Sequence, residues 1–443
     1  MLKRLNKKFW LVIYALYAVI FGKGPGLEAR NFMKDLTIVF MGLILSKVFS
    51  LVFQILSGRL LGTVEYGKFA LVFSTSNLIW TVMYLAIGTA MVKYMASVRS
   101  DNERSDILST GVILSLVMTV VFSVAFYAAS YKLSSLFSIG IAYIYAAILM
   151  AISINVWTMS QKVCQGLNMN EKLSAINIVS SLFTLCASIV LYLYIKSAIV
   201  PISVMIVGFF ISSILVLPEL RKYMKFRINR KWFRILVRYS LLGFIGTITF
   251  SSIGAINKII INTFLTIGDV GLFQAYYFST LTFSTFFVTG FMLVFFPTSL
   301  RYRKKFVVFF RINRFIRMTP FMYIALFVLS FIVMSLYGGG YLLSFRILAI
   351  FVFAGVTISI HSIYIWFSAS MGMEGVKISS MIVSFTILIN VLAALFLIPR
   401  YGLQGAAVSI VLSYIIGNIF AYFSIRSLVK HDDTRIEHEV IVS

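Results

Sequence analysis

The chain has 443 residues, 60% of them hydrophobic and 12% charged, with a mean hydropathy of +0.97, which leaves too little polar side chain to cover a water-soluble globule of this length. The formal net charge of +25 invites a nucleic-acid reading, but Lys and Arg also gather in the cytoplasmic loops of polytopic membrane proteins, and no nucleic-acid partner is expected. Two cysteines, Cys164 and Cys186, are too few for a disulfide framework, and on one continuous helix they would sit ~33 Å apart.

The first element is a short apolar stretch at residues 9–22, bounded by Lys7, Lys8 and Lys23. At about 14 residues it is short for a span and reads as an interfacial helix. Twelve apolar runs follow, each long enough to cross ~30 Å of hydrocarbon as a helix. The first six cover residues 36–61, 69–92, 107–130, 137–156, 176–195 and 199–217; the second six cover 241–266, 273–296, 320–337, 345–369, 378–397 and 402–424. Barrel strands would alternate, and these runs do not. The reading is an all-α polytopic membrane protein with about twelve transmembrane helices. Its parts are a cytoplasmic or interfacial segment (1–35), an N-lobe (36–217), a basic cytoplasmic linker (218–240), a C-lobe (241–424) and a cytoplasmic tail (425–443). The gaps between runs are too short to hold the core of an appended ATPase or glycosyltransferase.

With the first terminus inside, 31 of the 39 Lys and Arg residues fall on the cytoplasmic side and 6 on the other. That asymmetry places both termini in the cytoplasm, in a multi-pass inner-membrane protein. Two inner loops are the most basic. Residues 218–239 carry Arg221, Lys222, Lys225, Arg227, Arg230, Lys231, Arg234 and Arg238 among Tyr223, Phe226, Trp232 and Phe233, and residues 301–317 repeat the mixture around Tyr302, Phe306 and Phe309. Such segments suit a helix lying on an anionic leaflet, and could also gather an anionic lipid-linked substrate.

Residues 60–70 read LLGTVEYGKFA and residues 264–274 read FLTIGDVGLFQ, so an offset of 204 aligns Leu61 with Leu265, Glu65 with Asp269, Gly67 with Gly271 and Phe69 with Phe273. Each segment is the outer turn between the first two helices of a six-helix set. Six is even, so both sets enter the membrane in the same sense and form parallel repeats about an axis along the membrane normal.

Residues 57–71 (SGRLLGTVEYGKFAL) with Gly88, Lys93 and Tyr94, the run FRILAI from Phe345, and LIPRYGLQGAAV at 397–408 preceded by Asn390 resemble the polysaccharide branch of the multidrug/oligosaccharidyl-lipid/polysaccharide exporter superfamily. The resemblance covers nearly the whole chain. It implies two six-helix bundles in a V around a central cavity, alternating access, and flipping of a polyprenyl-linked oligosaccharide. The chain departs from the pattern at Gly62-Thr63, where the family often has Gly-Pro, and at Lys93, where it usually has Arg. Lys cannot make the planar two-pronged phosphate contact of Arg.

Lys47 and Lys258 fall within apolar runs, about 16 Å and 26 Å along their helices. A lysine facing lipid near the bilayer centre costs roughly 2.5 to 3.5 kcal/mol on insertion scales. The repeat offset carries Lys258 onto Gln54, seven residues from Lys47 and on almost the same helical face. Ser50, Gln54 and Ser57 continue that face on the first helix, and Ser251, Gly254 and Asn262 flank Lys258 on the seventh. A polar stripe of this kind needs a wet cavity or protein partners. All fourteen acidic residues fall in expected loops, turns or the tail, so the counter-charge is expected from the substrate's phosphate or pyrophosphate.

The expected function is therefore a transporter, not an enzyme, that moves a polyprenyl-phosphate-linked oligosaccharide across the membrane for surface polysaccharide or glycan assembly. Lys47 and Lys258 are its anion contacts, Ser50, Gln54, Ser251 and Asn262 its hydrogen-bonding partners, and Arg59 and Arg346 further candidates at the outer mouth. No cofactor or metal is expected. The expected partners are membrane lipids and an anionic lipid-linked oligosaccharide, with glycan polymerase or transferase machinery as a candidate. A cation or multidrug exporter is the alternative, disfavoured because no carboxylate is available within the spans. A membrane enzyme acting on lipid-linked glycans comes third, since it would need positioned acid, base or nucleophile groups. Gly62, Gly67 and Lys68 mimic part of a phosphate loop, but Phe69 follows instead of Ser or Thr and no strand precedes. His361 stands alone as a packed or cavity residue, and residues 338–340 are a glycine turn.

Overall fold

A computed structural model describes residues 27–442 except 99, 226, 286, 289–305, 307–308, 311 and 314–318, with backbone only at 27–40, 242–243, 245–251 and 430–442. The expected interfacial helix at 9–22, most of the basic loop at 301–317 and the side chain of Ser251 lie outside the described residues. Among the described residues the regular structure is helical: α1 Leu27–Tyr84, α2 Ile87–Ser97, α3 Asp101–Ala128, α4 Ser130–Phe137, α5 Ile141–Gly166, α6 Asn170–Tyr192, α7 Ile199–Ser213, α8 Leu217–Tyr223, α9 Arg230–Phe264, α10 Ile267–Tyr277, α11 Thr319–Tyr337, α12 Phe345–Ala369 and α13 Gly372–Val442. Eight of these stretches are long and apolar enough to cross a membrane. Two of the eight, Met41–Tyr84 and Gly372–Val429, each fold back on themselves as a pair of expected spans.

The reversals come from backbone that leaves the right-handed region. Gly62 (φ 73°) breaks α1 and Gly402 (φ 56°) breaks α13, a geometry that glycine adopts without a Cβ clash. The second repeat builds the corresponding turn differently. Thr266 accepts a hydrogen bond from the Asp269 backbone N–H while the Asp269 carboxylate accepts from the Thr266 N–H, a reciprocal cap that opens α10. Here the acidic residues depart from expectation, because Glu65 and Asp269 lie in first helical turns and not in loops. The expected span at 69–92 is also interrupted. Leu85 (φ 43°) and Ala86 (φ 56°) end α1 and start the separate α2, in a stretch whose unbroken apolar character gives no warning.

The helices form two lobes, α1–α8 and α9–α13, that meet across α1, α9 and α10. Their outer faces are apolar and open, with Val120 and Val124 each 63% exposed on α3, as a lipid-facing surface requires. The chain is thus a multi-pass membrane protein. The reversals at Gly62, Thr266, Gly338 and Gly402 mark one end of the bundle, here the turn end; the start of α1 and the finish of α13 mark the other, the terminal end.

The basic linker takes a different course from the one its composition suggests. Asn229 caps α9 by accepting from the Lys231 and Trp232 N–H groups, so the helix begins eleven residues before the expected apolar run. Trp232 and Leu236 are buried against Tyr84, Met91 and Met95 and do not lie on a leaflet. Asp106 at the start of α3 accepts from Lys225 Nζ and Asn229 Nδ2, each at 3.0 Å, and Lys172 pairs with Glu219. Several of the carboxylates thus pin the covalent bridge between the lobes.

Candidate functional cavity

A cavity of about 460 Å³ lies between the lobes at mid-depth, within the range of sites that enclose a ligand. Lys47, Ser50 and Gln54 line it from α1, and Lys258 with Gly254 from α9. The repeat offset puts these positions on facing surfaces, and the structure brings them to one space. Lys258 is 5% exposed. Its ammonium group crosses to the other lobe and donates to Ser74 Oγ at 2.9 Å, with the Tyr277 ring centroid 5.5 Å away. Lys47 is more open to the cavity. Among the described residues no Asp or Glu lines this space and none pairs with either lysine.

The turn end of the cavity is shut by contacts between the lobes. Tyr66 donates to Gln54 Oε1 at 2.7 Å and faces the Tyr337 hydroxyl at 3.4 Å; Tyr341 donates to the Gly58 carbonyl at 2.9 Å. Burial, then the nearby Tyr66, push the Tyr341 phenol above its ordinary range, so it stays a neutral donor. Beside this cluster the aligned glycines of the repeat meet. A Cβ on Gly67 would lie 2.0 Å from the Ile267 carbonyl, and one on Gly271 2.0 Å from the Thr63 carbonyl. From the Tyr66 cluster the lining runs along α1 through Gln54, Ser50 and Lys47 to Leu43, toward the terminal end.

Not every expected residue reaches the cavity. Asn262 donates to the Phe137 and Ser138 carbonyls at 3.1 and 2.8 Å and so belongs to the turn-end closure. Arg59 and Arg346 are exposed, with Arg59 beside Gly338 at the turn end. Lys93 sits over the Tyr239 ring at 4.1 Å, away from the cavity lining. His361 is packed, with Nδ1 3.1 Å from Asn418 Oδ1 and its ring edge-on to Tyr414.

Sequence reasoning did not single out a second set. Asn77, Trp157, Asn177, Ser181, Thr184 and Phe209 form the N-lobe wall. On the C-lobe side a π-helical turn at Phe278–Thr282 brings Phe278, Leu281 and Thr282 to the lining; such turns shift the helical register and often stand at functional sites.

Two helical lobes flank a charged cavity that contacts between them close at one end, a geometry compatible with alternating access. The sequence profile described as polysaccharide biosynthesis protein matches residues 32–303, and the chain belongs to that family. No curated protein sequence matches it. Solved structures share the fold. One titled as the inward-facing conformation of a multidrug resistance MATE family transporter of the MOP superfamily aligns with a TM-score of 0.67 at 12% identity, over 88% of this chain and 96% of its own. The lipid II flippase MurJ in an inward closed conformation gives 0.59 at 14%, over 87% of each chain. A MOP superfamily transporter from Pyrococcus furiosus, whose title reports reverse polarity of the binding pocket, gives 0.53 at 14%, over 90% and 96%.

Proposed function

We propose that this protein flips a polyprenyl-diphosphate-linked oligosaccharide from the cytoplasmic to the outer leaflet of the inner membrane, for surface polysaccharide or glycan assembly. The observation that carries the reading is the cavity that Lys47 and Lys258 share with no carboxylate among the described residues; membership of a polysaccharide biosynthesis family supplies the substrate class. The terminal end is cytoplasmic by the distribution of Lys and Arg, so the cavity described here faces the leaflet on which the lipid-linked unit is assembled.

The steps follow from the contacts. A diphosphate entering from the terminal end meets Lys47 and then Lys258. A phosphate oxygen brings a full opposite charge to the ammonium group, which the uncharged Ser74 hydroxyl does not, so it displaces Ser74 and removes a link between the lobes. The remaining links at the turn end are neutral: the Tyr66 cluster, the Asn262 amide and the paired glycines. Parting them while the terminal end closes exposes the headgroup to the other side, while the lipid tail stays in the hydrocarbon layer.

A cation exporter of the same fold is disfavoured on the same ground, since two ammonium groups raise the energy of a cation in the cavity. The test is reconstitution of the full chain in proteoliposomes with a fluorescent polyprenyl-diphosphate disaccharide in the inner-facing leaflet. The expected result is translocation at least about ten times faster than in protein-free vesicles. A background rate for this lipid together with robust movement of a cationic dye would reverse the assignment.

A further inference from the structure

Resting on the flippase reading, we propose that the N-lobe wall of the cavity is a subsite for an uncharged sugar ring, with Trp157 as its aromatic platform. The polar groups of this wall each return one donor to their own helix. Asn77 Nδ2 donates to the Phe73 carbonyl at 2.7 Å and Asn177 Nδ2 to the Leu173 carbonyl at 2.8 Å. The Ser181 hydroxyl donates to the Asn177 carbonyl at 2.9 Å and that of Thr184 to the Ser180 carbonyl at 2.8 Å. What remains for a ligand is a mixed set: the two amide carbonyls, the second N–H of each amide and the hydroxyl lone pairs. A phosphate brings acceptors only and can use just the two N–H groups, whereas sugar hydroxyls both donate and accept and match the whole set. The same cavity therefore sorts one headgroup, with its phosphates toward Lys47 and Lys258 and its ring toward α5 and α6.

The ring also needs a surface for its C–H face. Trp157 lines the cavity with its ring centroid 4.9 Å from that of Phe209, a second lining residue, so the two rings form one aromatic surface. Its Nε1–H, and the Nε2 amide of Gln161 one turn along α5, are buried without a hydrogen-bond partner among the described residues. Buried donors left unpaired are rare because they lose their hydration and gain nothing. On this wall a small turn of the indole hands its N–H to a sugar oxygen and adds a donor to the set. The opposite wall is organised around the Lys258 charge, with Gln274, Tyr277, Thr282 and Thr285 set among Ala255, Phe278, Leu281 and Ile358.

The test compares affinities of the purified full chain, by native mass spectrometry, for three probes: a bare polyprenyl diphosphate, and the same lipid carrying one neutral hexose or one N-acetylhexosamine. The wild type is expected to bind at least one glycosylated probe about tenfold tighter than the bare lipid, a difference within reach of one aromatic contact and one or two hydrogen bonds. In Trp157→Ala that ratio is expected to fall to near one. Trp157→Phe, which keeps a ring and loses the N–H, and Asn177→Ala, which loses an acceptor, should give intermediate ratios, and they decide the matter if Trp157→Ala does not fold. A wild-type ratio of one for both sugars, or wild-type ratios in the foldable variants, would overturn the subsite while leaving diphosphate binding and the transport reading intact. Failure of the wild type to bind any of the three probes would sink the transport reading and the subsite together.

Discussion

Replacing both cavity lysines, as Lys47→Gln with Lys258→Gln, is expected to reduce translocation of a polyprenyl-diphosphate oligosaccharide by about 100-fold or more at unchanged protein abundance. Hydrogen bonds to charged groups contribute about 1.5 to 3 kcal/mol each, which is roughly a factor of 10 to 100 per contact. Lys258 should carry the larger share. It is 5% exposed and already held at the lobe interface by Ser74, so its charge acts where water screens it least. Lys47 is more open, and its single substitution should cost about tenfold or less. Lys258→Arg keeps the charge in a larger and differently shaped head and should retain partial function if charge is what the site supplies. The readout is initial translocation rate in proteoliposomes against lipid concentration. Wild-type rates in the double variant would remove the anion-binding role from both residues.

The second large effect concerns the paired glycines. Gly67→Ala should disable the state described here, because its new methyl would lie 2.0 Å from the Ile267 carbonyl and backbone on both sides cannot yield as a flexible side chain would. The lobes would then part at the turn end, and the population would move toward the outward-open arrangement. Labelling of a cysteine placed at Ser74, in a background lacking Cys164 and Cys186, with a membrane-impermeant thiol reagent from the turn side should speed up at least about tenfold. Transport should fall by a similar factor, since one half of the cycle is blocked. Gly339→Ala is the control: a Cβ there meets nothing within 4 Å, and both readouts should match the wild type. Unchanged labelling in Gly67→Ala would mean that the turn-end contact is not the gate.

Hydropathy carried most of the architecture. The run expected at 345–369 matches α12, Phe345–Ala369, to the residue, because a Ser344 cap that accepts from the Ile347 N–H and a polar turn bound it on both sides. Where apolar character continues through a break, as at Leu85 and Ala86, the same signal is blind, since positive φ at non-glycine residues is set by tertiary packing and not by composition. The early start of α9 escaped for the converse reason. Residues 230–240 are too basic to count as a span, yet Trp232, Leu236 and Ser240 recur at helical spacing and are buried.

The cavity was legible through charge and repetition. Lys47 and Lys258 stand out because a lysine in an apolar run demands a reason, and the offset of the repeat placed them on facing lobes. The N-lobe wall had no such mark. Asn77, Asn177, Ser181 and Thr184 return hydrogen bonds to their own helices, a habit common to small polar residues in any membrane helix, and Trp157 reads in sequence as one more apolar position. Asn262 shows the opposite case: it lies one turn beyond Lys258, but the end of the helix turns it to the Phe137 and Ser138 carbonyls.

The most direct measurement is a cryo-electron microscopy structure of the full chain with a polyprenyl-diphosphate oligosaccharide bound. The predicted result is diphosphate density within about 4 Å of the Lys258 ammonium nitrogen, the distance of an ion pair, with Ser74 displaced from it and Lys47, across the cavity on α1, turned toward the density. Diphosphate density held outside the cavity, with Lys258 still bonded to Ser74, would contradict the account.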